Sequence, residues 1–563
     1  MLRKERIMTL DIETHIIKGI HLPFAASICE IEGVNKKTLT QTCHRSSHLL
    51  LESLFLRCFF HFRGSHFVFY CHNLGRFEGP LLANFFIVHE ECMIENILIH
   101  ENKVIMLHVK LRGKHLVFKD SLSFLPFKLY ELNAMIAPKK IKSSLPFNPF
   151  VNKSQKHRVL PYVKHDAQVL AFLLFIFKKQ LRHNFLQDPL ISFGTPGMAL
   201  KIYSKFFHEK NIFTKEQETI RKSFKGGLNF IKQQSRVKGV LGFDINSLYP
   251  FCMLNKLPVG EPKFKKNVIL EDFFGFVYVK SLKKLSRGAS VIGNNSNHSL
   301  PPSAPYEEKL LSSTPMILFS EEAKYAQKLG YLIDIRWGIE YESSFSVFHK
   351  FINYFYNLKK SHHSTNSISA KLIMNSLYGR LGMRKNYPSY QIVDRFDLHE
   401  LSSQGKNVKL IRSFTPNAYL IENKEESKYN RTLASTPIAS AITSYGRITI
   451  HQWITRKELE IHYSDTDSLY TLSPPPVNFI NDNLGSFKKI NPSPWDEAIF
   501  IKSKMYGLKR GNFSINKIKS IRSPKWEHLT ELQKKKKLNL FQQRWFMRKN
   551  HVLTLIQALH LQG

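Results

Sequence analysis

Between two short apolar stretches the chain carries Tyr463-Ser464-Asp465-Thr466-Asp467-Ser468-Leu469-Tyr470. The flanks, 460–463 and 468–472, read as two strands joined by a tight polar turn. No other stretch ties so much to one geometry: two strands, one turn and, in the turn, two carboxylates one residue apart. Hard divalent cations such as Mg²⁺ want oxygen ligands, and they commonly take one or two carboxylates with phosphates completing the shell. Asp also favours turns simply by bonding nearby backbone, so the turn's company must decide between the two readings.

That company is a series of acids placed at strand ends and helix starts. In Ile7-Met8-Thr9-Leu10-Asp11-Ile12-Glu13-Thr14, Asp11 and Glu13 alternate with apolar neighbours and share one strand face. Two carboxylates on one face are costly unless paired, metal-bound or turned to solvent. An apolar strand from Phe67 runs into His72-Asn73-Leu74-Gly75-Arg76-Phe77-Glu78 and a helix expected from about Pro80. Glu78 is there either a ligand or a helix-start acid favoured by the dipole. Tyr162 and Asp166, four apart, share a face near the start of an apolar helix expected over 160–177. Such a pair can orient and deprotonate a water beside bound metal, or merely open an amphipathic helix. A buried strand ends at Asp244 and passes into Ile245-Asn246-Ser247-Leu248-Tyr249-Pro250, so Asp244 is a natural third ligand beside Asp465 and Asp467. Between them, helical spacing over 346–381 places Lys371, Asn375 and Tyr378 on one face, with Lys359 and Lys360 just upstream. That face offers a cation, an amide and a ring, which suits a triphosphate and a base. Farther on, 484–488 and 504–506 are basic and aromatic elements suited to a nucleic-acid backbone groove.

The bulk properties point the same way. Lys and Arg number 82 against 44 Asp and Glu, a formal charge of +38 that favours a polyanionic partner. With 563 residues, 43% hydrophobic and 12% aromatic, the chain has material for several full cores. Its six cysteines contain no CxxC pair, which argues against a zinc ribbon and for a reducing intracellular compartment. Residues 1–13 lack the apolar run of a secretory signal, and the longest apolar run, 169–177, is too short to span a bilayer, so no membrane partner is expected. Polar, Ser/Asn/Pro-rich stretches at 281–315 and 384–432 read as insertions.

Taken together, Asp244-Ile245-Asn246-Ser247-Leu248-Tyr249-Pro250, Lys371-Leu372-Ile373-Met374-Asn375-Ser376-Leu377-Tyr378-Gly379 and Tyr463 to Ser468 resemble motifs A, B and C of a family B DNA polymerase, in that order. The gaps of 127 residues from Asp244 to Lys371 and 94 from Lys371 to Asp465 leave room for insertions, as in the protein-primed branch of linear plasmids, organelles and bacteriophages. Asp11 to Glu13, Asn73 to Glu78 and Tyr162 to Asp166 resemble the three motifs of the proofreading exonuclease. The second of these normally ends in Asp, where this chain has Glu78. Phe224-Lys225-Gly226-Gly227 looks like the linking Tyr-x-Gly-Gly element with Phe for Tyr, and Lys504-Met505-Tyr506 like the Lys-x-Tyr primer-holding motif.

The resemblance implies an α/β and α+β multidomain chain, with an RNase H-like 3′-5′ exonuclease domain (1–180) and a palm, fingers and thumb right hand. A connector with the Gly-Gly element would span 181–240. Palm and fingers would span 241–510, with insertions at about 260–345 and 384–432, and a short thumb or tail would fill 511–563. It implies a DNA-directed DNA polymerase, protein-primed, using two Mg²⁺ ions at Asp244, Asp465 and Asp467. The exonuclease would use Mg²⁺ or Mn²⁺ at Asp11, Glu13 and Asp166, with Glu78 and Tyr162 also catalytic. Leu248, Tyr249, Lys359, Lys371, Asn375 and Tyr378 would bind nucleotide. Asn73, Phe77, Gly226, Gly227, Thr466, Lys504 and Tyr506 would contact DNA. Implied partners are primer-template DNA, deoxynucleotides and a separate terminal priming protein; the chain would act as a monomer, and the mitochondrion is the compartment the family suggests. Two other readings stand beside this one: a nuclease only, or an inactive relic that binds nucleic acid through charge.

Overall fold

The structure is a computed structural model. It describes residues 5–17, 20–31, 38–42, 46–100, 103–136, 156–185, 188, 190, 192, 194–208, 218–284, 291–292, 315–345, 347–360, 364–383, 389–393, 395–404, 408–415, 418–423, 435–518 and 525–534.

The N-terminal part is a mixed sheet between helices. Its strands are β1 (Arg6–Ile17), β2 (Ile20–Glu30), β3 (Thr38–Thr42), β4 (His66–Cys71), β5 (Cys92–His100), β6 (Lys103–Leu111) and β7 (Lys114–Asp120), in spatial order β5-β6-β7-β4-β1-β2-β3. β4 runs parallel to both β1 and β7. Side chains alternate across a strand, and β4 uses both faces. Phe67 and Phe69 join a phenylalanine-rich core under α1 (Ser47–His61) and α2 (Glu78–Ile87). Val68 and Tyr70 face a second core that includes Leu170, Leu173 and Leu174 of the long helix α4 (Lys156–Phe185), which follows α3 (Leu129–Ile136). The Thr9 hydroxyl donates to the Ala167 carbonyl at 2.8 Å and ties α4 to β1.

Two sequence expectations change here. α2 begins at Glu78, not near Pro80. α4 extends the helix expected over 160–177 at both ends, and its stretch Val159–Phe185 is long and apolar enough to cross a membrane by length and composition. It lies on the sheet instead, with Ala167, Leu170, Ala171, Leu173 and Leu174 buried.

The connector expected at 181–240 is built into the downstream sheets. After α5 (Thr195–Ile202), β8 (Asn229–Ile231) and β9 (Ser235–Val237) pair with strands more than 200 residues farther along the chain. β10 (Leu241–Ile245) leads into the short helix α6 (Leu248–Cys252). The first insertion is a four-stranded antiparallel sheet of β11 (Leu257–Lys265), β12 (Gly275–Lys284), β13 (Met316–Phe319) and β14 (Tyr331–Ser344) carrying α7 (Ser320–Lys328). Most of the Ser/Asn/Pro-rich stretch at 281–315 lies outside the described residues. The helices α8 (His349–Lys360) and α9 (Ser364–Leu381) pack on each other.

The second insertion is no detached loop. Its strand β15 (Ser389–Val393), helix α10 (Arg395–Ser403), and strands β16 (Val408–Thr415) and β17 (Ala418–Asn423) extend the N-terminal sheet, with Tyr390 of β15 opposite Ile97 of β5. The buried helix α11 (Thr436–Ile454) then leads to β18 (Ile461–Asp465) and β19 (Ser468–Thr471), the hairpin expected at 460–472. β20 (Phe487–Lys489) completes a five-stranded sheet, β20-β10-β19-β18-β8. A last sheet joins β9 to β21 (Glu497–Lys502), β22 (Met505–Arg510) and β23 (Phe513–Ile518), covered by α12 (Trp526–Lys534). The boundary expected at 510 therefore cuts a hairpin whose turn contains Gly511 at φ +53°.

Candidate active sites

One site forms at the end of the five-stranded sheet. Asp244 is the last residue but one of β10 and Asp465 closes β18, and both lie opposite Ser468 on the intervening strand β19. Directly paired antiparallel residues have Cα atoms about 5 Å apart, so the two acids flank one position. Asp467 lies in the turn between β18 and β19, held by the Ile245 amide donating to its carbonyl at 2.8 Å. Thr466, at φ +67°, donates its amide to the Leu228 carbonyl at 2.9 Å and fixes the turn to the connector. Burial first, then the neighbouring Asp244 and more weakly Asp465, push the Asp467 carboxyl up to about 6, against a backbone bond and the pull of Lys488. Lys488 Nζ lies 3.1 Å from Asp244 Oδ2, and Lys504 Nζ lies 2.7 Å from Asp465 Oδ1.

The expected nucleotide-binding residues gather beside these acids. The Tyr249 ring centroid is 4.2 Å from that of Tyr378, and Gly446 and Gly227 abut Tyr249. Lys359 Nζ is 3.5 Å from the Ser247 hydroxyl, and its acidity is raised first by burial and then by Lys371 and Lys488. Lys371 and Lys488 are thus near enough for their charge to act on Lys359, with Asp482 opposing them. The Asn375 amide donates to the Lys371 carbonyl within α9. The Leu248 side chain is buried in the core, which leaves its backbone for a ligand.

The Gly-Gly element divides into two unlike positions. A Cβ on Gly227 would lie 2.6 Å from Thr466 Cγ2 and 2.9 Å from the Tyr249 hydroxyl, so only glycine fits; Gly226 faces open space. The loop is clamped by Arg447 of α11, whose Nη1 donates to the Lys225 and Gly226 carbonyls at 3.1 and 3.0 Å. Arg447 is also paired with Glu322 of α7 at 2.7 Å, both side chains buried, with Ser444 completing the network. A buried pair is tolerated only when its remaining groups are satisfied, and this one is. Nothing local in the sequence singles out Glu322.

The Tyr506 ring is buried against Tyr463 and Tyr470, so most of this side chain packs into the core beside the hairpin. Lys504, at φ +59°, keeps its ammonium at the site edge. Lys488, read as a groove residue, is instead the ion-pair partner of Asp244.

A second site forms where β1, the start of α2 and α4 meet. Asp11 and Glu13 lie on β1, Glu78 is the first residue of α2, and Asp166 lies on α4. The Asp11 carboxyl is pushed well above its usual range by burial and then by Glu13, Asp166 and Glu78. Glu13 is pushed up to about 7 by burial and Asp166, and Glu78 to about 8 by burial with Asp120 and Glu13. Burial raises Asp166 too, against hydrogen bonds from His165 and Tyr162. Phe77 packs edge-on to His21 at 5.7 Å. Asn73, at φ +93°, shapes the loop before α2 through its backbone: its carbonyl accepts from the Arg76 and Phe77 amides. Asp120 braces that loop, accepting from the Asn73 and Gly75 amides at 3.1 and 3.0 Å. Sequence reasoning missed Asp120, although it carries the signal that marks Asp244, an acid at a strand end before a turn.

Both clusters suit hard cations. Asp11 Oδ2 and Glu78 Oε2 are buried with no hydrogen-bond partner, and Asp467 is crowded by two carboxylates. Unpaired buried anions of this kind are costly, and a divalent cation would satisfy them with all-oxygen donors.

A strand-end triad of acids beside a helix bearing lysines, joined to a second carboxylate cluster on a mixed sheet, defines the class: a family B polymerase hand with an exonuclease-type domain. The chain superimposes on phi29 DNA polymerase complexed with primer-template DNA with a TM-score of 0.69 over 94% of both chains, at 18% identity. The sequence model of DNA polymerase type B, organellar and viral, matches residues 147–459, and the chain belongs to that family. Relatives include a protein named "Probable DNA polymerase" from Neurospora intermedia, 28% identical over 57% of this chain. Another of that name, from Agaricus bitorquis, is 25% identical over 78%. The DNA polymerase of Streptococcus phage Cp-1 is 23% identical over 78% of this chain and 77% of its own. The chain spans only 35% of the Neurospora relative's length and 64% of the Agaricus one's.

Proposed function

We propose that this chain is a DNA-directed DNA polymerase that extends a primer on a DNA template with deoxynucleotides, and that its N-terminal part removes nucleotides 3′ to 5′. The observation that carries the reading is the convergence of Asp244, Asp465 and Asp467 beside Tyr249 and the lysines Lys359, Lys371 and Lys488. Asp244 and Asp467 would hold two Mg²⁺ ions, with Asp465 assisting. Bound there, the ions would supply Lewis acidity for the primer hydroxyl and neutralise charge at the α-phosphate. Lys359 and Lys371 offset the triphosphate's charge. Tyr249, braced by Tyr378, Gly227 and Gly446, offers its ring to the sugar and closes the space a 2′-hydroxyl needs. In the second cluster Asp11, Glu13, Glu78 and Asp166 would hold Mg²⁺ or Mn²⁺, and Tyr162, bonded to Asp166, orients the attacking water.

Primer extension on a defined template, with Mg²⁺ and with chelator, tests the reading; no incorporation in Mg²⁺ refutes it. Tyr249→Val should admit ribonucleotides, and unchanged sugar discrimination would remove the gate. A separate priming protein is the further partner we propose, read out as label transfer to that protein. The monomer and the mitochondrion complete the proposal, tested by sedimentation and cell fractionation.

A further inference from the structure

The N-terminal sheet carries a second group of metal-binding side chains that the polymerase reading does not use. Glu95 of β5, His108 of β6 and His115 of β7 bring one donor atom each within 4.8 Å of one another. Glu95 Oε2 lies 2.8 Å from His108 Nε2 and 3.2 Å from His115 Nδ1. One carboxylate oxygen thus faces two imidazole nitrogens contributed by two further strands. His66 stacks on His115 at 4.7 Å, and its Nδ1 meets the Ser65 hydroxyl at 2.9 Å.

The sheet builds this group deliberately. Glu95 falls where the β5–β6 register shifts, between Ile94 and Asn96. A bulge of this kind re-aims a side chain, and here it turns Glu95 toward the histidines. His108 and His115 alternate with the buried Leu107, Val109 and Leu116, so both stand on the face away from the phenylalanine core. Their register, Lys110 opposite His115, makes them diagonal neighbours. The group sits at the start of β7, and Asp120 at its far end braces the exonuclease-type cluster; five residues of strand separate them by about 17 Å. It is therefore a separate site.

We propose that Glu95, His108 and His115 form a zinc site, three-coordinate in protein with water in the fourth position, that cross-links β5, β6 and β7. Zinc takes His nitrogen and carboxylate oxygen at about 2.0–2.2 Å, which places tetrahedral donors about 3.4 Å apart. The observed spacings need only small rotamer shifts to meet that. The neutral imidazole is the ligating form of histidine, so binding here would be stronger above the histidine titration range than below it. Two residues beyond Glu95, Ile97 meets Tyr390, where the second insertion joins the sheet. The site thus pins the strand on which that insertion docks.

The test is metal binding by the full chain in millimolar Mg²⁺, which fills the all-oxygen carboxylate sites. Chelator competition should find one tight Zn²⁺ equivalent, and Co²⁺ should give the intense visible bands of four-coordinate imidazole ligation. The pair His108→Ala and His115→Ala should weaken Zn²⁺ by at least about 100-fold, and the isosteric Glu95→Gln by about 10-fold. Primer extension by these variants should persist, because none touches either carboxylate cluster. Absence of the Co²⁺ bands in the unaltered chain would overturn the site whatever the variants do. So would equal Zn²⁺ affinity in Glu95→Gln, which would leave only a histidine–carboxylate ion pair.

Discussion

The two carboxylate clusters handle the same crowding in opposite ways. In the palm, a neighbouring strand or turn supplies a lysine: Lys488 to Asp244 and Lys504 to Asp465. In the N-terminal cluster, among the described residues, no lysine or arginine forms an ion pair with Asp11, Glu13 or Glu78, and burial raises all three. Two of the three palm acids thus have a lysine ammonium beside them, whereas Asp467 is left to burial and its acidic neighbours. The N-terminal cluster must hold protons or an added cation. Similar ligand sets thus differ in what the metal-free protein does with the charge.

The sharpest break of the comparison is Asp467→Ala. It should cut primer extension by about 1,000-fold or more, the several kcal/mol a metal-held transition state provides, while 3′-5′ degradation persists. Loss of both activities would mean that the clusters are not independent. Next comes Gly227→Ala, whose methyl must displace Thr466 or the Tyr249 hydroxyl. A displacement near 1 Å can cost about 100-fold in rate, so extension should fall on that scale with degradation spared. Wild-type extension rates would show that the palm tolerates the shift. On the other side, Glu78→Asp draws the carboxylate back by one methylene toward the family's usual residue. Degradation of single-stranded DNA should rise by about 10-fold on the same reasoning, and an unchanged rate would mean that Glu78 already serves.

The smallest effect separates the clusters by proton linkage. A free Glu titrates near 4.5, whereas folding raises Glu13 to about 7 and Glu78 to about 8. Between those values the unfolded chain has lost protons that the folded chain keeps. The contribution of these two groups to metal-free stability is therefore fully present below about pH 4.5 and falls as pH rises toward 8, by at most about 1.4 kcal/mol per pH unit per group. Denaturant midpoints at pH 5 and pH 8 should differ in that direction, and Mg²⁺ should flatten the slope. Glu78→Gln should also flatten it more than Asp467→Asn does; equal effects would erase the distinction.

Much of this was legible because local pattern carried it. The alternation around Asp11 and Glu13 predicts a strand, and β1 is one. The turn at Asp465 and Asp467 predicts a hairpin, and β18 and β19 form it with edges one or two residues off. The spacing of Lys371, Asn375 and Tyr378 predicts a helix, and α9 provides it. What no local stretch could show was whatever depended on a distant partner. Tyr506 reads as part of a backbone groove, and nothing in its own stretch shows that Tyr463 and Tyr470 come from another hairpin to pack on its ring. The second insertion reads only as a polar insertion, because its strands find their partner in β5, nearly 300 residues earlier.

Residue type and short-range period alone determined where the acids stand: at strand ends, in one turn and at helix starts, where side-chain direction follows from the backbone. Only the tertiary structure decided what meets them. Lys488 against Asp244, Arg447 against Glu322 and the Gly226 carbonyl, Asp120 under the Asn73 loop, and Glu95 between His108 and His115 are contacts across strands or helices. The reason is physical: a local dihedral preference is written in neighbouring residues, whereas the partner of a buried charge is set by sheet order and register, which no single stretch contains.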